Sequence, residues 1–166
     1  MSTLKLLGEA EEIATISFSN MYGLRKLVPE TPSANFMWVI YGSLKIQQKG
    51  EYEFCSTSDD GSRIILDNYL VVDNDGLHGA FRRCALRVMD KGSYPVEVER
   101  FQRGGGVYQY QTVTYRGPDT GNTRLLMRSV GDGAGEAPAP RPPSSWTLRM
   151  YSSHSPLTSV PNLAFC

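Results

Sequence analysis

The chain has 166 residues, 40% of them hydrophobic and 20% charged, enough for one globular domain with its own core and too few for two full ones. Lys plus Arg and Asp plus Glu both number 17, so no net field draws the chain to nucleic acid or to an anionic membrane, and no basic run carries interleaved aromatics. A membrane-spanning helix is also excluded: the longest apolar run, Phe36 to Tyr41, is far too short, and Leu6-Leu7 is followed at once by Gly8-Glu9-Ala10-Glu11-Glu12.

That opening carries no secretory signal, which places the chain in the cytoplasm or in an intracellular assembly, or outside the cell if it is a fragment or is exported by another route. Three cysteines, Cys55, Cys84 and Cys166, have no metal-site spacing and are too few for a disulfide scaffold. Either they are reduced, or Cys55 and Cys84 pair and Cys166 is left over. The reduced state is the simpler reading.

From residue 36 to about residue 116 the apolar positions alternate with period two and no helical period appears, which predicts an all-β core. In chain order the predicted strands are Phe36–Gln47, Tyr52–Thr57, Ser62–Leu66, Tyr69–Asp73, Arg83–Val88, Gly92–Gln102 and Val107–Tyr115. Turn residues punctuate them: Lys49-Gly50, Asp59-Asp60-Gly61, Asp67-Asn68, Asp73-Asn74-Asp75-Gly76, Asp90-Lys91-Gly92, Gly104-Gly105-Gly106 and Gly117-Pro118. Short strands at this spacing make an antiparallel barrel or sandwich. Asp67-Asn68, between two short strands, has the composition of a two-residue hairpin turn with both residues at positive φ.

Residues 131–145, GDGAGEAPAPRPPSS, hold no large apolar side chain and read as a linker. The module is therefore expected to span 1–130, with 146–166 as an extension beyond it. That extension echoes the start of the chain: Thr15/Thr147, Ile16/Leu148, Phe18/Met150 and Val28-Pro29/Val160-Pro161 fall at equal offsets. The echo predicts the opening strand of a second, truncated module, free to dock on a neighbouring copy by strand addition.

The stretch from Thr57 to Gly79 concentrates aspartate. Ser58-Asp59-Asp60-Gly61-Ser62 forms a turn with or without a ligand; the functional alternative is a hard-cation site built on the Asp59 and Asp60 carboxylates. Adjacent side chains of an extended strand diverge, so aiming both at one ion calls for an unusual backbone, a cis peptide being one solution. An EF-hand starting at Asp73 fails because its twelfth position is Cys84 rather than Glu.

Several motifs resemble the PA-fourteen family, the β-barrel module of the protective antigen toxin component, of yeast flocculins and of many bacterial adhesins and glycosidases. They are the G-x-Y-x-F strand (Gly50, Tyr52, Phe54), the S-D-D-G-S-R turn (Ser58 to Arg63), the I-x-L-D hairpin arm (Ile64 to Asp67), V-V-D-N with its following His (Val71 to Asn74, His78), and K-G-x-Y-x-V-x-V-E-x-F (Lys91 to Phe101). Together they cover about residues 36–116 in the family's order. The resemblance implies a compact antiparallel β-barrel or sandwich.

It also implies a site. In lectin members two adjacent aspartates joined by a cis peptide hold Ca²⁺, which binds vicinal sugar hydroxyls; Asp59 and Asp60 match them. A later loop supplies further ligands, here Gln102–Gly106 with Gln102 as the candidate, although 101–111 lacks the Asn or Asp that several sugar-binding members place there. Tyr108 and Tyr110 alternate onto one strand face and offer a stacking surface for a sugar ring. His78 matches a structural histidine that ties a loop to the barrel.

Catalysis is not expected. His78 lacks a nucleophile and an orienting partner, Cys84 in an alternating strand reads as core, and neighbouring Asp59 and Asp60 cannot flank a glycosidic bond from opposite sides. Arg82, Arg83, Arg100 and Arg103 read as solvated edges. The expected function is a non-catalytic binding or adhesion module, recognising a glycan through Ca²⁺ held by Asp59, Asp60 and Gln102 with Tyr108 beside them. The alternative is a structural subunit of a protein assembly, with 146–166 docking on its neighbour.

Overall fold

A computed structural model describes residues 4–104, 108–128 and 146–161; the predicted linker 131–145 and the end of the extension lie outside the described residues. The strands are β1 (Leu4–Ile13), β2 (Ser17–Asn20), β3 (Phe36–Ile46), β4 (Gly50–Ser58), β5 (Ser62–Leu66), β6 (Tyr69–Asn74), β7 (Phe81–Met89), β8 (Gly92–Gln102), β9 (Tyr108–Arg116), β10 (Leu125–Leu126) and β11 (Trp146–Ser153), with one short helix α1 (Met21–Leu27). Two antiparallel sheets face each other. One has the order β1-β11-β3-β8-β5-β6; the other runs β10-β9-β4-β7, with β2 also pairing β9. They do not close into a barrel, so the sandwich form of the expectation holds.

Each strand predicted between 36 and 116 is present. Asp67 and Asn68 sit at φ 52° and 63° between the paired ends Leu66 and Tyr69, the left-handed geometry that a two-residue hairpin with the right-handed strand twist demands. The first 35 residues, left unassigned by periodicity, supply β1, β2 and α1. Asn20 caps α1, its side-chain oxygen accepting from the Gly23 amide at 3.1 Å, and Met21 and Leu24 enter the core.

Alternation sorts β3 into two layers. Phe36, Trp38 and Ile40 face the opposite sheet, where Phe18 meets Trp38 edge-on at 5.7 Å between ring centroids. Met37 and Val39 face outward into a second apolar cluster with Phe101, Leu157 and Val160. A strand covered on both faces reads as one continuous apolar run, which is why residues 36–41 break the alternation around them.

The expectation for 146–166 is corrected here. Trp146–Ser153 pair with β1 on one side and β3 on the other, inside the sheet of the same chain, and Trp146, Leu148 and Met150 are buried in its core. The chain then turns back so that Leu157 and Val160 cover Met37, Val39 and Phe101. Two hydrogen bonds fasten it: Arg63 Nη2 to the Val160 carbonyl at 2.5 Å and the Val160 amide to Asp75 Oδ1 at 2.7 Å. The echo joins unlike structures of one module: residues 15–29 hold β2 and α1, whereas residues 147–161 hold β11 and the segment that follows it.

On this covered face Glu99 is 5% exposed, opposite Arg63 at 3.2 Å. Burial pushes its carboxyl up to about 7, with Arg63 opposing and Glu97 and Asp75 reinforcing. A carboxyl whose folded pKa exceeds its unfolded value of 4.5 stabilises the fold in its protonated form, and that contribution is lost as pH rises through the folded pKa. Stability is therefore expected to fall between pH 4.5 and about 7 by up to about 3 kcal/mol. Glu99→Gln should flatten that fall in urea titrations at pH 5 and pH 8; an equal fall in the variant would assign it elsewhere.

Candidate functional site

The β4–β5 turn lies at one end of the sandwich, and the side chains beneath it are polar. From β4, β5, β6 and β9 respectively, Ser58, Ser62, Asn74 and Gln111 turn inward together with Ser56, and all are buried. Ser56 Oγ and Ser62 Oγ are 2.7 Å apart, Ser62 Oγ donates to Ser58 Oγ at 2.9 Å, Asn74 Nδ2 donates to Ser58 Oγ at 3.0 Å, and Gln111 Nε2 to Ser56 Oγ at 2.9 Å. A connected set of this kind satisfies groups that would each cost about 1–3 kcal/mol if buried alone. It also locks four strands together directly below the aspartates.

The Asp59-Asp60 peptide is cis, the geometry the resemblance implied. The Asp59 amide donates to the Tyr110 carbonyl at 3.0 Å, and Arg103 N donates to Asp60 Oδ2 at 2.9 Å. Gly61 follows because nothing larger fits: a Cβ there would lie 2.6 Å from the Gly76 nitrogen and 2.6 Å from the Phe101 ring. The Gly61 carbonyl accepts from Phe101 N at 3.1 Å, which joins the turn to β8.

Arg100 corrects the reading of a solvated edge. It is 1% exposed, with its guanidinium carbon 6.0 Å from the Trp38 ring centroid, and its Nη2 donates to both the Asp59 carbonyl and Gln102 Oε1. Parity along β8 carries the signal that finds it: Val96, Val98 and Arg100 share one face of the strand, and that face is the core. Burial drives the guanidinium down to about 10, against the pull of Asp59 and Asp60. Asp59 is in turn raised by burial and by the Asp60 charge, while Arg100, His78 and a hydrogen bond from Gln102 oppose the shift.

The predicted site residues divide. Asp59, Asp60 and Gln102 come together. Gln102 is 4% exposed, and its side-chain oxygen, expected on a cation, serves Arg100 instead. Tyr108 is placed as a strand residue opposite Asn20; its side chain is outside the described residues. Tyr110, on the same face by alternation, is 40% exposed next to the turn. His78 Nε2 and Nδ1 lie 3.0 Å and 2.8 Å from the carbonyls of Asn74 and Gly79, a loop tie as the resemblance implied.

The cysteine reading is also corrected. Cys55 and Cys84 form a disulfide, because register sets them directly opposite each other on β4 and β7. Cys84 is exposed on the outward face, not in the core. These two sulfurs with Glu53 are the metal-ligand cluster found among the described residues, but with both sulfurs committed to the disulfide it has no thiolate to offer.

The profile of the PA14 domain matches residues 21–126. The chain belongs to the PA14 domain family. Its fold is similar to that of a PA14 sugar-binding domain from an RTX adhesin, with TM-score 0.53 and 19% identity over 75% of each chain. It is similar as well to an anti-sigma factor domain-containing protein from Clostridium clariflavum, with TM-score 0.55 and 14% identity over 81% of this chain and 50% of that one. A glycoside hydrolase family 31 α-xylosidase from Xanthomonas citri matches with TM-score 0.50 and 15% identity over 92% of this chain but only 18% of its own. At these identities the likeness establishes the fold of this PA14 domain. No curated protein sequence matches the chain.

Proposed function

We propose that this PA14 domain is a non-catalytic, calcium-dependent carbohydrate-binding module whose cation is held by the Asp59 and Asp60 carboxylates. The observation that carries the reading is the placement of two adjacent carboxylates on a turn fixed from below, Asp59 by Arg100 and by the Tyr110 carbonyl. The donor chemistry fits: both groups offer hard oxygen, as Ca²⁺ requires. Asp59 is raised by burial and, after it, by the Asp60 charge; a divalent ion relieves that repulsion. Bound there, Ca²⁺ would offer vacant positions to vicinal sugar hydroxyls.

Arg100 and Gln102 then act as positioning residues, holding the Asp59 backbone and side chain, and exposed Tyr110 presents a ring beside the turn for a sugar face. The PA14 sugar-binding domain among the similar folds supports a glycan as partner. The assembly reading is weaker, because the segment it needed for docking is a sheet strand of its own module.

Thermal melts in chelator and in millimolar Ca²⁺ test this. At about one hundred times the dissociation constant a ligand specific to the native state adds about 2.7 kcal/mol, or a midpoint shift of about 5–10 °C in a chain of this size. The wild type is expected to shift and Asp60→Ala not to. Retention on a glycan array should follow the same dependence on calcium; a wild type indifferent to Ca²⁺ in both assays overturns the proposal.

A further inference from the structure

The two ends of the Cys55–Cys84 disulfide differ in exposure and in the groups beside them. Cys55 is 1% exposed, and on its far side β9 lies in register, with Thr114 directly opposite. Arg124 closes over that side: its Nη1 is 2.6 Å from Cys55 Sγ and 3.4 Å from Thr114 Oγ1, while its Nη2 is bonded to Glu53. Cys84 is exposed on β7, the last strand of its sheet, beyond which no strand pairs among the described residues.

Thiol exchange is an in-line displacement, so the attacking sulfur must approach along the extension of the S–S bond. The Cys55 side is closed by Arg124 and by β9, whereas Cys84 is exposed on the edge strand β7. The exposed sulfur is therefore the one an external thiol reaches. The leaving sulfur is then Cys55, and a sulfur leaves faster when its thiolate is stabilised. Arg124 is in place to do this. Glu53 Oε2 also lies near Cys55, at 3.5 Å, but Arg124 is closer at 2.6 Å and itself binds that carboxylate, so the charge in contact with the leaving sulfur is positive.

We propose that the disulfide is a covalent exchange site for an external thiol, with Cys84 as the acceptor and Cys55 as the leaving group. The incoming thiolate forms a new S–S bond to Cys84 Sγ, the Cys84–Cys55 bond breaks, and its electron pair remains on Cys55 as a thiolate facing Arg124. No electron is gained or lost overall: one disulfide and one thiolate become another disulfide and another thiolate. Arg82, which shares the outward face of β7 with Cys84 through its two-residue spacing, favours thiols that carry carboxylates.

The test uses the full chain with Cys166→Ser, so that the pair supplies the only sulfurs of cysteine. It is exposed to glutathione, quenched in acid, alkylated with maleimide in denaturant and mapped by mass spectrometry. Glutathione is expected on Cys84 and maleimide on Cys55, by about tenfold or more over the reverse. Arg124→Gln should slow adduct formation about three- to tenfold, as a less stabilised leaving thiolate requires; Arg124→Lys should recover most of the rate. Arg116→Gln, which also removes a partner of Glu53 but does not touch sulfur, should leave it within twofold. Adducts on Cys55, an even distribution, no adduct from the folded chain, or equal slowing by the Arg116 and Arg124 substitutions would each overturn the proposal.

Discussion

Truncation after residue 145 is expected to abolish the cooperative unfolding transition of this PA14 domain. β11 is the second strand of a six-stranded sheet, and β1 pairs with no other strand among the described residues. The cut removes Trp146, Leu148 and Met150 from the space between the sheets and Leu157 and Val160 from the outer face. Burial of one such side chain stabilises by about 1.5–3 kcal/mol, so five together approach about 10 kcal/mol, which is comparable to the whole stability of a typical domain at about 5–15 kcal/mol. Met37, Val39 and Phe101 would also be left facing water. Urea titration followed by circular dichroism checks this: a truncated chain that keeps a sigmoidal transition with an unchanged slope would show that β11 is dispensable. If the missing strand is the cause, a peptide of residues 146–161 added in excess should restore the transition.

Arg100→Met is expected to lose about 2–4 kcal/mol, the largest effect of any single substitution around the candidate site. Methionine fills the stem of the cavity and relieves the cost of burying a charge. It leaves the Asp59 carbonyl and Gln102 Oε1 without the donor they share, and a buried acceptor left unpaired costs about 1–3 kcal/mol. It also removes the cation that offsets the Asp59 and Asp60 charges. The variant should therefore unfold at lower urea, and in Ca²⁺ it should recover part of the loss if the carboxylates hold the ion. An unfolding free energy within about 1 kcal/mol of wild type would mean that Arg100 does not hold the turn.

Local chemistry made the central strands legible. Alternation between 36 and 116 placed seven of them, with ends displaced by at most two residues, because the two-residue period of a strand with one face in the core is written directly into side-chain polarity. Asp67-Asn68 was readable for the same reason, a turn type demanding particular residues. The aspartate turn was reached through its likeness to a family rather than through spacing, since Asp-Asp-Gly serves any turn.

What the sequence left out depends on contacts between distant residues. Gly42 is a spacer: a Cβ at that position would stand 2.0 Å from the Trp146 ring, so the two positions fit only once β11 lies against β3, and neither residue alone signals the other. The disulfide follows from the β4–β7 register, which set Cys55 against Cys84 and turned Cys84 to solvent, whereas composition alone favoured reduced thiols. Arg100 is charged, and charge usually means solvent; its burial depends on Trp38 of β3 and Asp59 of the β4–β5 turn converging on it beside Gln102 of its own strand. The amino-acid sequence by itself determined the β class, the central strands and their turns, because those rest on propensities and periods spanning a few residues. Only the tertiary structure decided that the C-terminal segment completes its own sheet, that one arginine is buried under the aspartate turn and that the disulfide shows one sulfur to solvent, because each is a pairing between segments that meet only when the two sheets close on one core.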